Sequence, residues 1–270
     1  MNIIKKIGFI GCGKMASAII KGILDSNFSS KENVIASEVN EEFAQKKELE
    51  LGIKLFTDNK EIIENSDVIF LATKPDVIKD VLVDLKNILT EDKILISIAA
   101  GVSTNTIEEI IGKNVPVIRV MPNGPAVILE GMSGIVKGKF AKNEHVQFVE
   151  KLLSNIGKCI VLEEDKIDIL TAISGSGPAF FYEIIHEMAL AGEKLGLNYD
   201  KSLLLAAQTA IGSAKLMLQS NLTPEQLVQN IATKGGCTEV GVNVMKEKNT
   251  KDLFYSLIEK TAQKASALGK

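Results

Sequence analysis

The feature that most constrains this chain is an apolar run, Ile7-Gly8-Phe9-Ile10, that enters Gly11-Cys12-Gly13 and leaves directly as an amphipathic helix. Ile3 to Ile10 reads as a buried strand, and Met15, Ala18, Ile19, Gly22 and Ile23 share one face of the helix that follows. Gly11 permits a tight turn, Gly13 lets backbone come close to a ligand without a Cβ in the way, and Ala16 fills a third small position. The N–H groups opening the helix, at Lys14 and Met15, together with its positive dipole end, suit a pyrophosphate. The stretch therefore reads as a dinucleotide-binding turn, in the strand-to-helix context that such a turn requires.

Downstream, strands and helices alternate. Val34–Ser37, Ile53–Phe56, Asp67–Leu71, Ile94–Ile98 and Val117–Met121 read as strands, with helices over Glu41–Leu51, Asp76–Leu89 and from about Thr104. Gly134–Val136, a helix over Asn143–Ser154, and Cys159–Leu162 extend the series. The pattern predicts an α/β fold: a Rossmann-type, doubly wound parallel sheet with right-handed crossovers. In such a sheet ligands sit beyond the carboxyl ends of the strands, which places Ala72, Lys74, Pro75 and the loop residue Asn59 near the cofactor. Ser37-Glu38 ends the second strand. A carboxylate here bonds the ribose 2′-hydroxyl of NAD, a small hydroxyl accommodates the 2′-phosphate of NADP, and both are offered; Glu38 lies somewhat past the usual spacing of about 20 residues. Met121-Pro122-Asn123-Gly124-Pro125 is a stiff loop at a strand end, so Asn123 suits a wall against a nicotinamide ring.

From Glu164 onward the composition turns to Ala/Leu/Met-rich helix, predicting domains at 1–163 and 164–270, the second all-helical. Ile167–Ala172 reads as one helical piece, broken at Ser174-Gly175-Ser176-Gly177; Pro178 starts a helix to Leu195, and Asp200 caps the next. Lys201–Gln219 is apolar nearly all round, which demands burial on nearly all sides and implies an obligate dimer with interleaved helices. Thr223-Pro224-Glu225-Gln226 is an N-terminal capping signature. Beyond it, Gly235-Gly236-Cys237-Thr238 reads as a second anion cradle, with Thr238 capping a further helix.

A net charge of −3 from 31 basic and 34 acidic residues argues against nucleic-acid or membrane partners. No apolar run is long enough to span a bilayer, and residue 3 already begins a strand, so no signal peptide is expected and a cytoplasmic location follows. Cys12, Cys159 and Cys237 are odd in number and far apart, which argues for reduced, mostly buried thiols and against disulfides or a metal site. His145 and His186 read as surface residues, and Glu163-Glu164 as a solvated boundary.

Together, Ile7–Ala16, Arg119-Val120-Met121-Pro122-Asn123, Ser174-Gly175-Ser176-Gly177-Pro178-Ala179 and the loop around Gly235-Gly236-Cys237-Thr238 resemble the pyrroline-5-carboxylate reductase family over essentially the full length. The resemblance implies a Rossmann domain, a helical dimerisation domain, and reduction of L-1-pyrroline-5-carboxylate to L-proline by NADPH or NADH. It also implies assembly as dimers, often five to a decamer. Gly235, Gly236 and Cys237 would hold the substrate carboxylate through backbone amides, while the Thr238 hydroxyl would reach the imine nitrogen as the catalytic contact. Two departures stand out: the family usually has Thr where Gly124 stands, and Ser-Pro where Thr233-Lys234 stand. A related imine or 3-hydroxyacid reductase is the rival reading, although such enzymes usually carry a catalytic lysine early in the long helix and here none precedes Lys194; a dinucleotide sensor without turnover would need no second anion loop.

Overall fold

The computed structural model describes residues 5–268. The expectation of a strand from Ile3 therefore lies partly outside the described residues. Eight strands form one sheet in the order β3-β2-β1-β4-β5-β6-β7-β8. The strands are β1 (Ile7–Ile10), β2 (Val34–Ser37), β3 (Lys54–Phe56), β4 (Val68–Leu71), β5 (Ile94–Ser97), β6 (Val117–Met121), β7 (Gly131–Lys137) and β8 (Gly157–Val161). The helices between them are α1 (Lys14–Asp25), α2 (Glu41–Leu51), α3 (Asn59–Asn65), α4 (Pro75–Leu85), α5 (Thr104–Ile111) and α6 (Asn143–Leu153).

β1, β4 and β5 are buried at every position, as their largely apolar sequences require of strands covered on both faces, with Ser97 the one polar residue among them. Phe9 of β1 stacks on Phe70 of β4 with ring centroids 4.5 Å apart. Both rings are fully buried, each contributing roughly 1.5–3 kcal/mol. Two glycines outside the turn set the thickness of the layers. A Cβ on Gly8 would lie 2.3 Å from Ser66 Oγ, so α3 and the turn after it lie close on β1; one on Gly22 would lie 2.1 Å from Ile156 Cγ2.

The structure corrects two local expectations. Asn59 is the first residue of α3, capped by Asp58, rather than part of a loop. The sheet is parallel through β6, but β7 runs antiparallel to it. The connection from β6 to β7 holds only a 3₁₀ turn over Gly124–Ile128, far too short for a parallel crossover, which takes about a dozen residues or more.

The change of composition at Glu163-Glu164 is not where contacts divide the chain. The first compact unit runs to Ser176 and takes in the chain from Thr261; the second is Gly177–Lys260. Ile167 and Leu170, in the short helix α7 (Ile167–Leu170), cluster with Val136 of β7 and with Met121 and Leu162, which keeps this segment with the sheet. The helix is not broken after Ala172 but continues as a π-turn over Thr171–Gly175. Glu164 is no solvated charge either. It pairs with Arg119 of β6, whose side chain is 6% exposed, and accepts from both the N–H (3.1 Å) and the hydroxyl (2.7 Å) of Thr104.

The second unit comprises α8 (Gly177–Lys194), α9 (Tyr199–Gln219), α10 (Pro224–Ile231), α11 (Cys237–Glu247) and the start of α12 (Thr250–Leu268). α8 and α9 pack tightly: a Cβ on Gly192 would lie 2.5 Å from Ser202 Oγ. Asn198, not Asp200, caps α9, accepting from Lys201 N–H. The capping box at α10 forms as expected, Thr223 and Gln226 each accepting from the other's backbone. Within the chain only Ser202 and Ala206 of α9 are buried, while Leu204, Leu205 and Leu218 are 69%, 59% and 72% exposed. Among the described residues no helix is long and apolar enough to cross a membrane.

Removing Glu164 strands a buried guanidinium. Glu164→Ala should lower unfolding stability by about 3 kcal/mol, the lower end of the range for breaking a buried pair because the carboxylate keeps a third of its side chain exposed. Chemical denaturation measures this, with Glu163→Ala as the neighbouring control expected to change it by less than about 0.5 kcal/mol.

Candidate functional site

At the end of β1, Gly11 has φ +92°, a conformation that favours glycine, and a Cβ there would lie 2.9 Å from the Ala72 carbonyl oxygen. Its N–H donates to Ser37 O at 3.0 Å, while Ala72 N–H donates to Ile10 O at 2.8 Å. The turn is thus seated between the ends of β2 and β4, where connections leave β1 in both directions and an open sheet forms its crevice.

Gly13 is different. Its φ of −72° suits any residue, and a Cβ would meet nothing within 4 Å. What glycine provides here is empty space beside the N-terminus of α1, whose N-cap it forms without a side-chain bond. The first turn of α1 leaves backbone donors without intrahelical acceptors. Lys14 is exposed beside them and Met15 packs partly into the core. Ala16 is buried. This bare, cationic helix start fits the phosphates of a dinucleotide. Cys12, between the glycines, is fully buried, and burial pushes its thiol above the usual range, which keeps it neutral.

Beyond β2 the hydroxyl of Ser37 is buried and committed. It donates to Asn59 Oδ1 at 2.7 Å and lies 3.4 Å from Phe9 O, so it is not displayed for a 2′-phosphate in this conformation. Glu38 is partly exposed, with its N–H held by Phe56 O at 2.9 Å. Asn59, at the start of α3, supports Ser37 and borders a hollow of about 470 Å³ with Thr57, Asp58 and Lys60. At the end of β4, Lys74 is exposed as the N-cap of α4, and Pro75 occupies its first turn. Asn123 is 8% exposed, and both ends of its amide are engaged: Nδ2 donates to Ser174 O at 3.0 Å and Oδ1 accepts Met132 N–H at 2.9 Å. Its side chain is therefore a strut between three segments. Gly124 needs no bare backbone, since a Cβ there would meet nothing within 4 Å.

In the second unit, Gly235 has φ +78°, and a Cβ on Gly236 would lie 2.9 Å from Thr233 Oγ1. The loop is thus as tight as its glycines imply. Thr238 does not cap α11. Gly236 is the N-cap, with no side-chain bond, and Cys237 and Thr238 are the first two helical residues. Gly236 N–H returns to Thr233 O at 2.9 Å, and Gly235 N–H is taken by Glu239 Oε2 at 2.8 Å. Cys237 and Thr238 N–H remain where a helix start supplies no acceptor of its own. The reading of the sequence missed Glu239; a carboxylate at the third position of a helix behind two glycines is the signal that could have found it.

Neither histidine is placed as a base. His145 accepts Lys142 N–H through Nδ1 at 3.1 Å, and burial lowers its pKa; His186 is exposed and bonded to the Tyr199 hydroxyl. All three cysteines are free, but only Cys12 is buried; Cys159 is half-buried and Cys237 exposed, contrary to the expectation of mostly buried thiols. Among the described residues no group of three His, Cys, Asp or Glu is placed to hold a metal ion.

Gly13→Val should fill the space beside the α1 N-terminus without touching the protein around it. We expect NAD(P)H affinity to fall by at least about tenfold, read by fluorescence titration, with the melting temperature nearly unchanged; a tenfold loss corresponds to about 1.4 kcal/mol.

Comparison with known proteins agrees with both halves of this description. Residues 6–101 match the family described as NADP oxidoreductase, coenzyme F420-dependent, and residues 164–268 match pyrroline-5-carboxylate reductase dimerisation. The chain is 37% identical to the pyrroline-5-carboxylate reductase of Methanosarcina acetivorans over 266 residues, covering 98% of each protein. A solved pyrroline-5-carboxylate reductase from Coxiella burnetii superposes with a TM-score of 0.94 at 31% identity, over 99% of each chain. That from Plasmodium falciparum, solved with NADP bound, gives 0.87 at 32% identity over 98% of each. Agreement of this extent, reaching from the glycine turn through the helical unit, shows that the chain belongs to the pyrroline-5-carboxylate reductase family.

Proposed function

We propose that the protein reduces L-1-pyrroline-5-carboxylate to L-proline, using NADPH or NADH, as the last step of proline biosynthesis. The observation that carries this is full-length agreement with curated reductases, joined to a glycine turn whose open side fits a dinucleotide. The reduced nicotinamide supplies a hydride to the imine carbon, and the nitrogen keeps or gains a proton to become the secondary amine. A cyclic imine is already electrophilic, so the work left to the protein is binding, orientation and exclusion of water.

In this reading the helix start at Lys14 and Met15, with Gly11 and Gly13 before it, holds the pyrophosphate. Ala72, Lys74 and Pro75 line the crevice beside it. Ser37, Asn59 and Asn123 act mainly by shaping its walls, since their polar atoms are already engaged within the protein. That leaves Glu38 as the side chain facing the choice between NADPH and NADH. In the second unit, the double-glycine loop receives the substrate carboxylate on backbone donors and the Thr238 hydroxyl bonds the imine nitrogen. The positive end of α11 favours the carboxylate electrostatically.

The exposed leucines of α9 and the match of residues 164–268 to a dimerisation family support a homodimer. A further apolar groove of about 330 Å³ beside Ile160, Leu162, Ile169 and Ile173 adds to the surface that association would cover. Five such dimers in a decamer form the next level of the same reading. The three free cysteines accord with a reducing compartment, and we assign the protein to the cytoplasm.

The direct test follows absorbance at 340 nm with purified protein, pyrroline-5-carboxylate and each reduced cofactor in turn; cofactor oxidation dependent on the imine is expected. Thr238→Ala should lower kcat/KM about ten- to a hundredfold, since a hydrogen bond to a charged group is worth roughly 1.5–3 kcal/mol. NAD(P)H affinity should not change. Because Gly236 rather than Thr238 caps α11, stability should also stay within about 0.5 kcal/mol of the parent. Light scattering should find no folded, active monomer.

A further inference from the structure

The double-glycine loop already holds a carboxylate. Glu239 Oε2 accepts the N–H of Gly235 at 2.8 Å, reaching back from the first turn of α11 across the loop. Gly235 is held at φ +78°, and Gly236 N–H is turned inward to Thr233 O at 2.9 Å. Of the two glycine donors, that of Gly235 is thus the one on which an anionic side chain sits. Glu239 Oε2 sits on a backbone donor at the positive end of a helix.

Resting on the reading that this loop binds the substrate carboxylate, we propose that Glu239 is a specificity-determining residue: a built-in competitor that occupies the anion position and must yield the Gly235 N–H when substrate enters. The exchange is balanced, one carboxylate oxygen replacing another on the same donor while the Glu239 side chain turns away. Its cost falls on substrates that carry a carboxylate, because the displaced charge remains a few ångströms from the incoming one. A substrate without that group leaves the Glu239 contact in place. Charge is the operative property. Glutamine at the same position still offers an oxygen to Gly235 N–H but no longer repels the ligand.

The test compares Glu239→Gln with the parent enzyme on two cyclic imines, pyrroline-5-carboxylate and 1-pyrroline, which lacks the carboxylate. The variant is expected to lower KM for pyrroline-5-carboxylate by about three- to tenfold, the scale of one like charge removed from a partly solvated site. KM for 1-pyrroline, kcat on either imine and the dissociation constant of NAD(P)H should change less than about twofold. A shared loosening of the loop would move both imines alike, and that result would overturn the proposal, as would an unchanged or raised KM for pyrroline-5-carboxylate. Thr238→Ala run in parallel separates the two levels. If it keeps full kcat/KM, the loop is not the substrate's and the functional reading of it fails. If it loses activity while Glu239→Gln leaves KM unmoved, the loop's role stands and only the competitor is wrong.

Discussion

The constraint on which the nucleotide crevice depends is the seat of Gly11 against Ala72. Three strands meet there: β1 ends, β2 supplies Ser37 O to Gly11 N–H, and β4 returns Ala72 N–H to Ile10 O. Any side chain at Gly11 would enter the Ala72 carbonyl at 2.9 Å, on a backbone turned to φ +92° that other residues rarely adopt. Were this contact to open, α1 would lose its origin and the open space beside Gly13 its shape. The buried stack of Phe9 on Phe70 lies one residue before each of these strand ends and fixes their separation from inside the sheet.

The polar groups near this crevice divide into those that remain available and those already spent. Ser37, Asn59 and Asn123 are bonded to protein, which makes them rigid. The backbone N–H groups at the start of α1 are the available ones, and backbone donors do not titrate. A reaction on an electrophilic imine suits such a site, because it asks for placement more than for acid–base chemistry. Neither histidine needs a catalytic role on this account, and the neutral Cys12 thiol needs none either.

Features with a local signature were legible in the sequence. Gly11, the apolar strands, the Thr223 capping box and the helical second half all follow from residues within a turn or two of each other. The rest depended on distance or direction. Asn59 opens a short polar helix with too few apolar residues to show a period. The reversal at β7 is a property of pairing, which periodicity does not report. Glu164 looked solvated because its partners, Arg119 and Thr104, come from elsewhere in the chain. Thr238 has the residue type of a cap, but the tight turn at Gly235-Gly236 starts the helix two residues earlier than a Thr238 cap would, at Cys237 with Gly236 as the N-cap. The Glu239 contact exists only once that turn has formed.

The strut at Asn123 has a consequence for how the protein ages. With Gly124 after it, Asn123 forms an Asn-Gly step, the dipeptide most prone to deamidation, because the bare glycine amide can fold back onto the side chain. In the folded chain that side chain is buried and held at both ends, by Ser174 O and Met132 N–H, away from the backbone attack that deamidation requires. The product aspartate would set a carboxylate oxygen against the Ser174 carbonyl, two acceptors where one donor is needed. Native packing thus acts as chemical protection, and time spent unfolded leaves a mark that refolding cannot erase.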